Sequence, residues 1–417
     1  MGLQILALVF LIGAIVLGFV RKMNVGLVCF GLALILGKAG GMSEGEIYGG
    51  FPYKLFATLL GTMLFFSLLQ QNGTLEKISK KLIGLCGKNT FLVPVIIYLV
   101  SFLLSAAGPG AISVQSVMVI FAVALAVQME VSPVLMGAMA ILGAVGGTAS
   151  PIALTGIIVE GLLSEMGIIG MGMKVFAGVA VANFICALVT YFVLGGYKIR
   201  TYGSQTSGEG NGFNGSQKLS LAALLVMVVM VVGFSYDVGL ICFTLSLILM
   251  FLKASDEKKA IKMIPWNVLL LIAGVNVLMN ITQKLGGIDL LSSILASFMS
   301  PLTAAPLIGM TGGIMSWFSS ANGVVFPTLI PTVPDIVANV GGTSILPMVV
   351  AIVCSATVAG ISPLSTGGSL IIASYSQESG CDDKEQQKLF GKLFALSAGM
   401  VGIVFLLTLS GILAMIG

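Results

Sequence analysis

Four short clusters rich in glycine, proline and small polar residues interrupt long apolar stretches of this chain. They read SAAGPGAISVQS at 105–116, GGTASPIALTG at 146–156, SSANGV at 319–324 and AGISPLSTGGS at 359–369. Proline removes a backbone hydrogen bond, and glycine accepts conformations that end a helix. In an apolar medium such broken backbone persists only when buried in protein or lining a wet cavity, where its freed N–H and C=O groups can take a ligand. The chemistry on offer is ion capture. Half-helix N-termini carry partial positive charge and suit a carboxylate, whereas unwound carbonyls and hydroxyls suit a small cation.

The candidate anion contacts are Ser105, Gly108, Gly110 and Ser113 in the first cluster and Thr148, Ser150 and Thr155 in the second. In the second half they are Ser320, Asn322 and Gly323, with Thr328 just beyond, and then Ser362, Ser365 and Thr366. The candidate coupling-ion contacts are Ser105, Gly147, Ser320, Asn322 and Gly360, a set suited to Na+ at the cluster tips. Glu160 is the one carboxylate placed inside an apolar run, where an ionisable group is a functional candidate for carrying a proton or cation. No Arg or Lys lies in any cluster, so an anion would be held by N–H groups, hydroxyls and amides. Small residues in membrane helices also serve close packing, the bland account of any one cluster. Their occurrence in matched pairs argues for more.

The elements that carry these clusters come from a duplication. FPYKLFATLLGTMLFFSLLQQNGTLEKISKKL (51–82) lies over IPWNVLLLIAGVNVLMNITQKLGGIDLLSSIL (264–295) without a gap, pairing Pro52 with Pro265, Gly61 with Gly274, Gln70 with Gln283 and Gly73 with Gly286. Downstream, Ser105-Ala106-Ala107-Gly108 answers Ser319-Ser320-Ala321-Asn322, and Ser150-Pro151-Ile152 answers Ser362-Pro363-Leu364. Duplicated halves with interrupted apolar segments at matching positions point to a secondary transporter.

Composition supplies the medium. Hydrophobic residues make up 57% of the chain and charged residues 9%, and the mean hydropathy is +1.10. Stretches such as 3–20, 176–195, 219–235 and 394–416 approach or exceed the ~20 residues that cross a bilayer. The first is read as a span and not as a cleaved signal peptide, because no basic residue precedes it and Arg21-Lys22 follows directly.

The expected fold is an all-α polytopic membrane protein of two inverted repeats, each with five transmembrane spans and one re-entrant hairpin. The first repeat is 1–202, with its hairpin at 91–128 and a broken helix at 134–166. A cytoplasmic linker follows at 203–217, where GSQTSGEGNGFNGS is flexible in composition. The second repeat is 218–417, with its hairpin at 303–340 and a broken helix at 345–376. An odd number of crossings per half inverts the second half relative to the first. Charge agrees: with re-entrant hairpins, sixteen of the 20 Lys and Arg fall on one side, leaving Lys38, Lys54, Lys174 and Lys284 on the other. The positive-inside rule then makes the majority side cytoplasmic and puts both termini outside.

The chain has no histidine, and its six cysteines are scattered. That excludes histidine-ligated metal or haem sites and His-based nucleophilic triads, so a membrane enzyme is disfavoured. The basic run KASDEKKAIK at 253–262 reads as a solvated cytoplasmic loop and suggests no nucleic-acid partner.

The runs GFPYKLFATLLGTMLFFSLLQQNGTLEKI, LLSAAGPGAISVQSVM and GAVGGTASPIALTGIIV resemble the N-terminal region of MatC-type dicarboxylate (malonate) carriers. Through IPWNVLLLIAG and the SANG and SPLSTGG breaks, the whole chain resembles the wider ion-transporter superfamily, which includes the divalent anion/sodium symporters. The resemblance implies an elevator-type transporter, usually a homodimer, in a bacterial cytoplasmic (inner) membrane. Those relatives carry a Ser-Asn-Thr triplet at each tip. Here Gly108-Pro109-Gly110 follows Ser105, and Ser320 and Asn322 are separated by Ala321 with no adjacent Thr.

The expected function is symport of a small di- or tricarboxylate such as malonate, succinate, malate or citrate, coupled to Na+ or H+ and needing no cofactor. The site is expected at the midplane between the four clusters. Two other readings stand beside it: a Na+/H+ antiporter of the same superfamily, and the large membrane subunit of a binding-protein-dependent (TRAP-type) uptake system.

Overall fold

Among residues 2–21, 23–83, 90–199, 212–234, 236–379 and 383–414, which the computed structural model describes, every regular element is helical. Seven helical stretches are long and apolar enough to cross a membrane, and shorter apolar helices fill the spaces between them. The expectation of an all-helical membrane fold holds.

The first half opens with α1 (Gly2–Arg21), α2 (Val25–Ala39), the short α3 (Glu44–Tyr48), α4 (Tyr53–Gln71) and α5 (Thr74–Ile83). The second half opens with α11 (Gly215–Val228), α12 (Val238–Phe251), the short α13 (Glu257–Met263), α14 (Trp266–Lys284) and α15 (Gly287–Ser297). The local chemistry is the same in both. Asn24 and Asp237 accept backbone N–H bonds at the starts of α2 and α12, and Ser43 and Asp256 do so for α3 and α13. Pro52 and Pro265 hold a tight turn before α4 and α14, in which the Tyr53 and Trp266 N–H groups each donate 2.8 Å to the carbonyl two residues back. Gly73 and Gly286, at φ +75° and +74°, follow α4 and α14 in a conformation that side chains disfavour. The duplication therefore runs further upstream than 51–82: VGLVCF (25–30) lies over VGLICF (238–243), and Gln4 over Gln217, at the same offset.

Each half leans on the other. α2 packs on α14 and α4 on α12, both through glycine. A Cβ on Gly274 would lie 1.9 Å from the Gly26 carbonyl oxygen, and one on Gly61 would lie 2.4 Å from the Gly239 carbonyl oxygen. Only glycine lets these backbones touch, which is how small residues pack membrane helices in the absence of a hydrophobic drive.

Beside this layer sit the broken elements. In the first half α6 (Val93–Ala106) and α7 (Gly110–Gln128) form the hairpin, followed by α8 (Pro133–Gly147), a gap and α9 (Leu154–Glu165), then α10 (Gly172–Val193). α6 and α7 pack on α8, which is buried from Val134 to Gly147. Gly143 and Gly147 press on the Tyr98 and Phe102 carbonyls, where an added Cβ would come within 2.2 Å of each.

In the second half α16 (Ala304–Phe318) leads to a π-turn (Ala321–Val325), α17 (Phe326–Leu329), a 3-10 turn (Ile330–Thr332) and α18 (Val333–Val340). α19 (Ile345–Val358), α20 (Thr366–Ser379) and α21 (Asp383–Leu409) complete it. The sequence suggested one half-helix over 324–340; the structure keeps one continuous helical stretch from Ala321 to Val340 that changes type along its length, where Pro327, Pro331 and Pro334 each remove a donor. α8 and α19 meet at the centre of the molecule.

α11 starts at Gly215, capped by Asn214 and Gln217, so the expected linker gives way to helix before 217. Its portion 203–211 lies outside the described residues, as do Lys22, Lys88, Arg200, Cys86 and Cys381. The other four cysteines are buried and unpaired.

Candidate functional site

The first break begins where α6 runs out at Ala106. Gly108 (φ +132°) and Gly110 (φ +71°) turn the chain through conformations open to glycine, and both are also sterically enclosed. A Cβ on Gly108 would fall 2.4 Å from the Phe66 ring, and one on Gly110 would fall 2.8 Å from Leu154 Cβ. This geometry aims the N-terminus of α7 at the gap in the 134–166 helix. There Thr148 Oγ1 accepts from the Ala111 N–H at 3.1 Å.

The bonds continue across the molecule. Thr148 Oγ1 donates to Thr155 Oγ1 (3.2 Å), and Thr155 Oγ1 donates to Asn322 Oδ1 (2.9 Å). A single run of hydrogen bonds thus joins the first hairpin tip, the first helix break and the tip of the second hairpin. Thr148 and Thr155 are 1% and 0% exposed, so their part of the run is shielded from water, where such bonds reinforce one another, and its Asn322 end is half-buried. Because Thr155 donates to the amide oxygen of Asn322, the Asn322 NH2 group points away from it, and no hydrogen bond from that NH2 is found among the described residues. The second tip itself rests on α14, with Gly323 against Leu271.

The fourth cluster is reached from the first. α7 packs on α20, and a Cβ on Gly367 would lie 3.2 Å from Gln115 Oε1. Gly156 and Gly368 play matched parts, each letting the half-helix after a break start against the carbonyl of Ser150 or of Ser362.

The candidate residues divide by what they touch. Ser320 Oγ accepts from the Gly323 N–H, and Ser362 Oγ accepts from the Leu364 N–H, so both hydroxyls shape their own turns. Ser365 Oγ donates to the Gly360 and Ser362 carbonyls. Thr366 is exposed at the start of α20. Ser150 is buried, and Ser113 lines a narrow pocket of about 10 Å³ with Gly108, Phe66 and Met63. Ser105 and Thr328 are buried hydroxyls whose oxygens find no partner among the described residues. Such groups cost free energy, commonly 1–3 kcal/mol, unless a ligand or ion meets them.

The large open volume lies beside these breaks and not among all four. It is a cavity of about 690 Å³ between α9 and the α4–α14 layer, bounded by Pro52, Pro151, Pro327 and Pro331. Of the candidate residues it takes in Glu160, whose Oε2 is buried, unpartnered and held next to Gly172 in the first turn of α10. Gly172 leaves the space that the carboxylate fills, and a helix N-terminus favours negative charge. Its other lining groups were not among the candidates: Lys54, Glu165, Asp237 and the α14 amides Asn276, Asn280 and Gln283. The signal for the amides was present in the sequence, since Asn276 and Asn280 stand one turn apart inside an apolar run.

Interrupted helices joined at their breaks, on an all-helical scaffold of membrane-length spans, define a polytopic membrane transporter. Comparison with solved structures agrees on the fold. The transporter YdaH of Alcanivorax borkumensis is similar over 88% of this chain and 86% of that one, with 12% identity and a TM-score of 0.55. MtrF of Neisseria gonorrhoeae, described among a class of antimetabolite efflux pumps, is similar over 88% of this chain and 82% of its own, with 13% identity and a TM-score of 0.53. No curated protein matches the sequence. The sequence profile of the citrate transporter (CitMHS) family matches residues 7–325, and the chain belongs to that family. It is a membrane carrier for carboxylates and not an enzyme.

Proposed function

We propose that this protein is a symporter of small di- and tricarboxylates such as malonate, succinate, malate or citrate, driven by a gradient of Na+ or H+. The observation that carries the reading is the run from the Ala111 N–H through Thr148 and Thr155 to Asn322. It fixes the Asn322 amide so that its NH2 donors are left for an anion, at a place where two half-helices begin. The absence of Arg and Lys from the clusters fits a carboxylate held by neutral donors and released again.

Coupling has two candidate seats. Ser105 and Thr328 offer unpartnered buried oxygens, which suits Na+ at the hairpin tips. Glu160 offers a carboxylate on the cavity wall, which suits a proton. The matched halves, the odd number of crossings and the charge bias support two inverted repeats in a bacterial inner membrane, with both termini outside. The cavity that reaches Lys54, Asp237 and Glu165 would then face the exterior. A homodimer would use 39–54 and 219–252, outside the hairpin segments themselves.

The test is uptake of radiolabelled malonate, succinate, malate and citrate into proteoliposomes, with Na+ and H+ gradients imposed separately. Uptake under one gradient is expected, with a loss of tenfold or more in Thr155→Ala and in Asn322→Ala. Absence of uptake under either gradient overturns the reading in favour of cation exchange or of a carrier that needs a separate binding protein.

A further inference from the structure

The open cavity has an electrostatic oddity for a carrier of anions. Its lining carboxylates are Glu160, Glu165 and Asp237, and its one cationic residue is Lys54, exposed at the edge. Apart from Lys54, donors to an anion inside it come from neutral groups, and α14 supplies amides. Asn276 is 7% exposed and its Nδ2 donates to the Ile272 carbonyl at 2.8 Å, which fixes the amide and leaves Oδ1 free. No hydrogen bond to that oxygen is found among the described residues, and Asn276 lines the cavity. Asn280, one turn on, is the reverse: its Oδ1 is sealed and unpartnered against the protein, and its Nδ2 is the end left towards the cavity.

One face of α14 thus presents an acceptor and a donor a turn apart, about 5–6 Å between Cβ atoms. A plain carboxylate has no use for the acceptor, because it carries no proton to donate. A hydroxyl on the carbon bearing a carboxylate uses both.

Resting on the reading of the chain as a carboxylate carrier, we propose that Asn276 and Asn280 are specificity-determining residues for hydroxycarboxylates. Asn276 Oδ1 accepts from the substrate hydroxyl, and Asn280 Nδ2 donates to the adjacent carboxylate. The duplication sharpens the assignment. At the matching positions α4 carries Met63 and Ser67, so neither amide is required by the shared architecture. The selectivity follows from a general asymmetry: a site with a buried group awaiting a hydroxyl discriminates against the analogue that lacks it.

The experiment is titration calorimetry on the purified full-length protein, pairing citrate with tricarballylate, its deoxy analogue, and malate with succinate. The wild type is expected to bind each hydroxylated member several-fold more tightly, the net scale of one hydrogen bond to the protein exchanged for one to water. Asn276→Met is expected to bring both ratios close to one. Asn280→Ser is expected to weaken all four ligands several-fold while preserving the ratios. Thermal unfolding identifies a variant that has lost its fold, and Asn276→Ala then supplies the same readout. Equal binding of citrate and tricarballylate by the wild type, or a ratio that survives Asn276→Met, overturns the proposal and leaves the carrier reading standing. A wild type that neither binds nor transports any of the four carboxylates overturns the carrier reading, and this proposal with it.

Discussion

The α14 face and the α4 face are sister surfaces that meet opposite circumstances. Asn276, Met279 and Asn280 look into about 690 Å³ of open space, whereas Met63, Phe66 and Thr62 border a pocket of about 10 Å³. Pro52 lines the first and its partner Pro265 the second, and Pro327 answers Ser113 in the same way. One set of matched positions faces open space and the other a closed contact. The closing contact is specific: the Phe66 ring lies on Gly108 at the first hairpin tip. Met279, at the matching place in α14, lines the open space instead. Two copies of one design need not share a conformation, and the side chain at a single matched position goes far to decide which copy is closed.

The comparison can be broken first at its foundation. Gly274→Val or Gly61→Val puts side-chain atoms where a backbone carbonyl already sits, and either change is expected to abolish monodisperse, folded protein in size-exclusion chromatography. A milder change exchanges the closing contact. With Cys86 and Cys381 replaced by serine and the other cysteines buried, a reporter at Ser113→Cys is expected to react slowly with a thiol reagent and at least fivefold faster when Phe66→Ala is added. Met279→Phe is expected to slow a reporter at Pro327→Cys. Equal rates at the two reporters in the parent protein would remove the asymmetry altogether.

The smallest effect concerns the elbows after α4 and α14. Asn72 donates to Ser220 Oγ (2.7 Å) and to the Ala254 carbonyl (3.3 Å), and it accepts from Thr74; the sister position is Leu285. Asn72→Leu leaves these groups unmatched at a cost of about 1–3 kcal/mol, read as a fall of a few degrees in Tm. Leu285→Asn is expected to move Tm less.

Much of this was legible in the sequence because broken helices announce themselves. Gly108-Pro109-Gly110, Pro151 and Pro363 located their breaks, and Pro52/Pro265 with Gly73/Gly286 located the duplication, since these residue types fix backbone shape. The extension of the repeat to Gln4 and Gln217 was harder to see, because most intervening matches exchange one aliphatic residue for another. The Thr155–Asn322 bond was not legible. It joins the halves through packing, and nothing local in either sequence names the other partner. The cavity was missed for a related reason: it arises from the unequal closure of matched surfaces, which a matched sequence conceals. Asn276 and Asn280 were visible as amides in an apolar run, but only the neighbouring void gives them a task.

The glycine crossings also constrain how such a chain came to exist. Gly26 meets Gly274 and Gly61 meets Gly239, so each half supplies the backbone surface on which the other half's helix lies. A half-length ancestor could have made these contacts only between two copies of itself, at the mercy of their concentration in the membrane. Joining the copies in one chain turned an encounter between molecules into a contact within one, at a high effective concentration. It also frees the two faces to differ in sequence, as Asn276 and Asn280 differ from Met63 and Ser67.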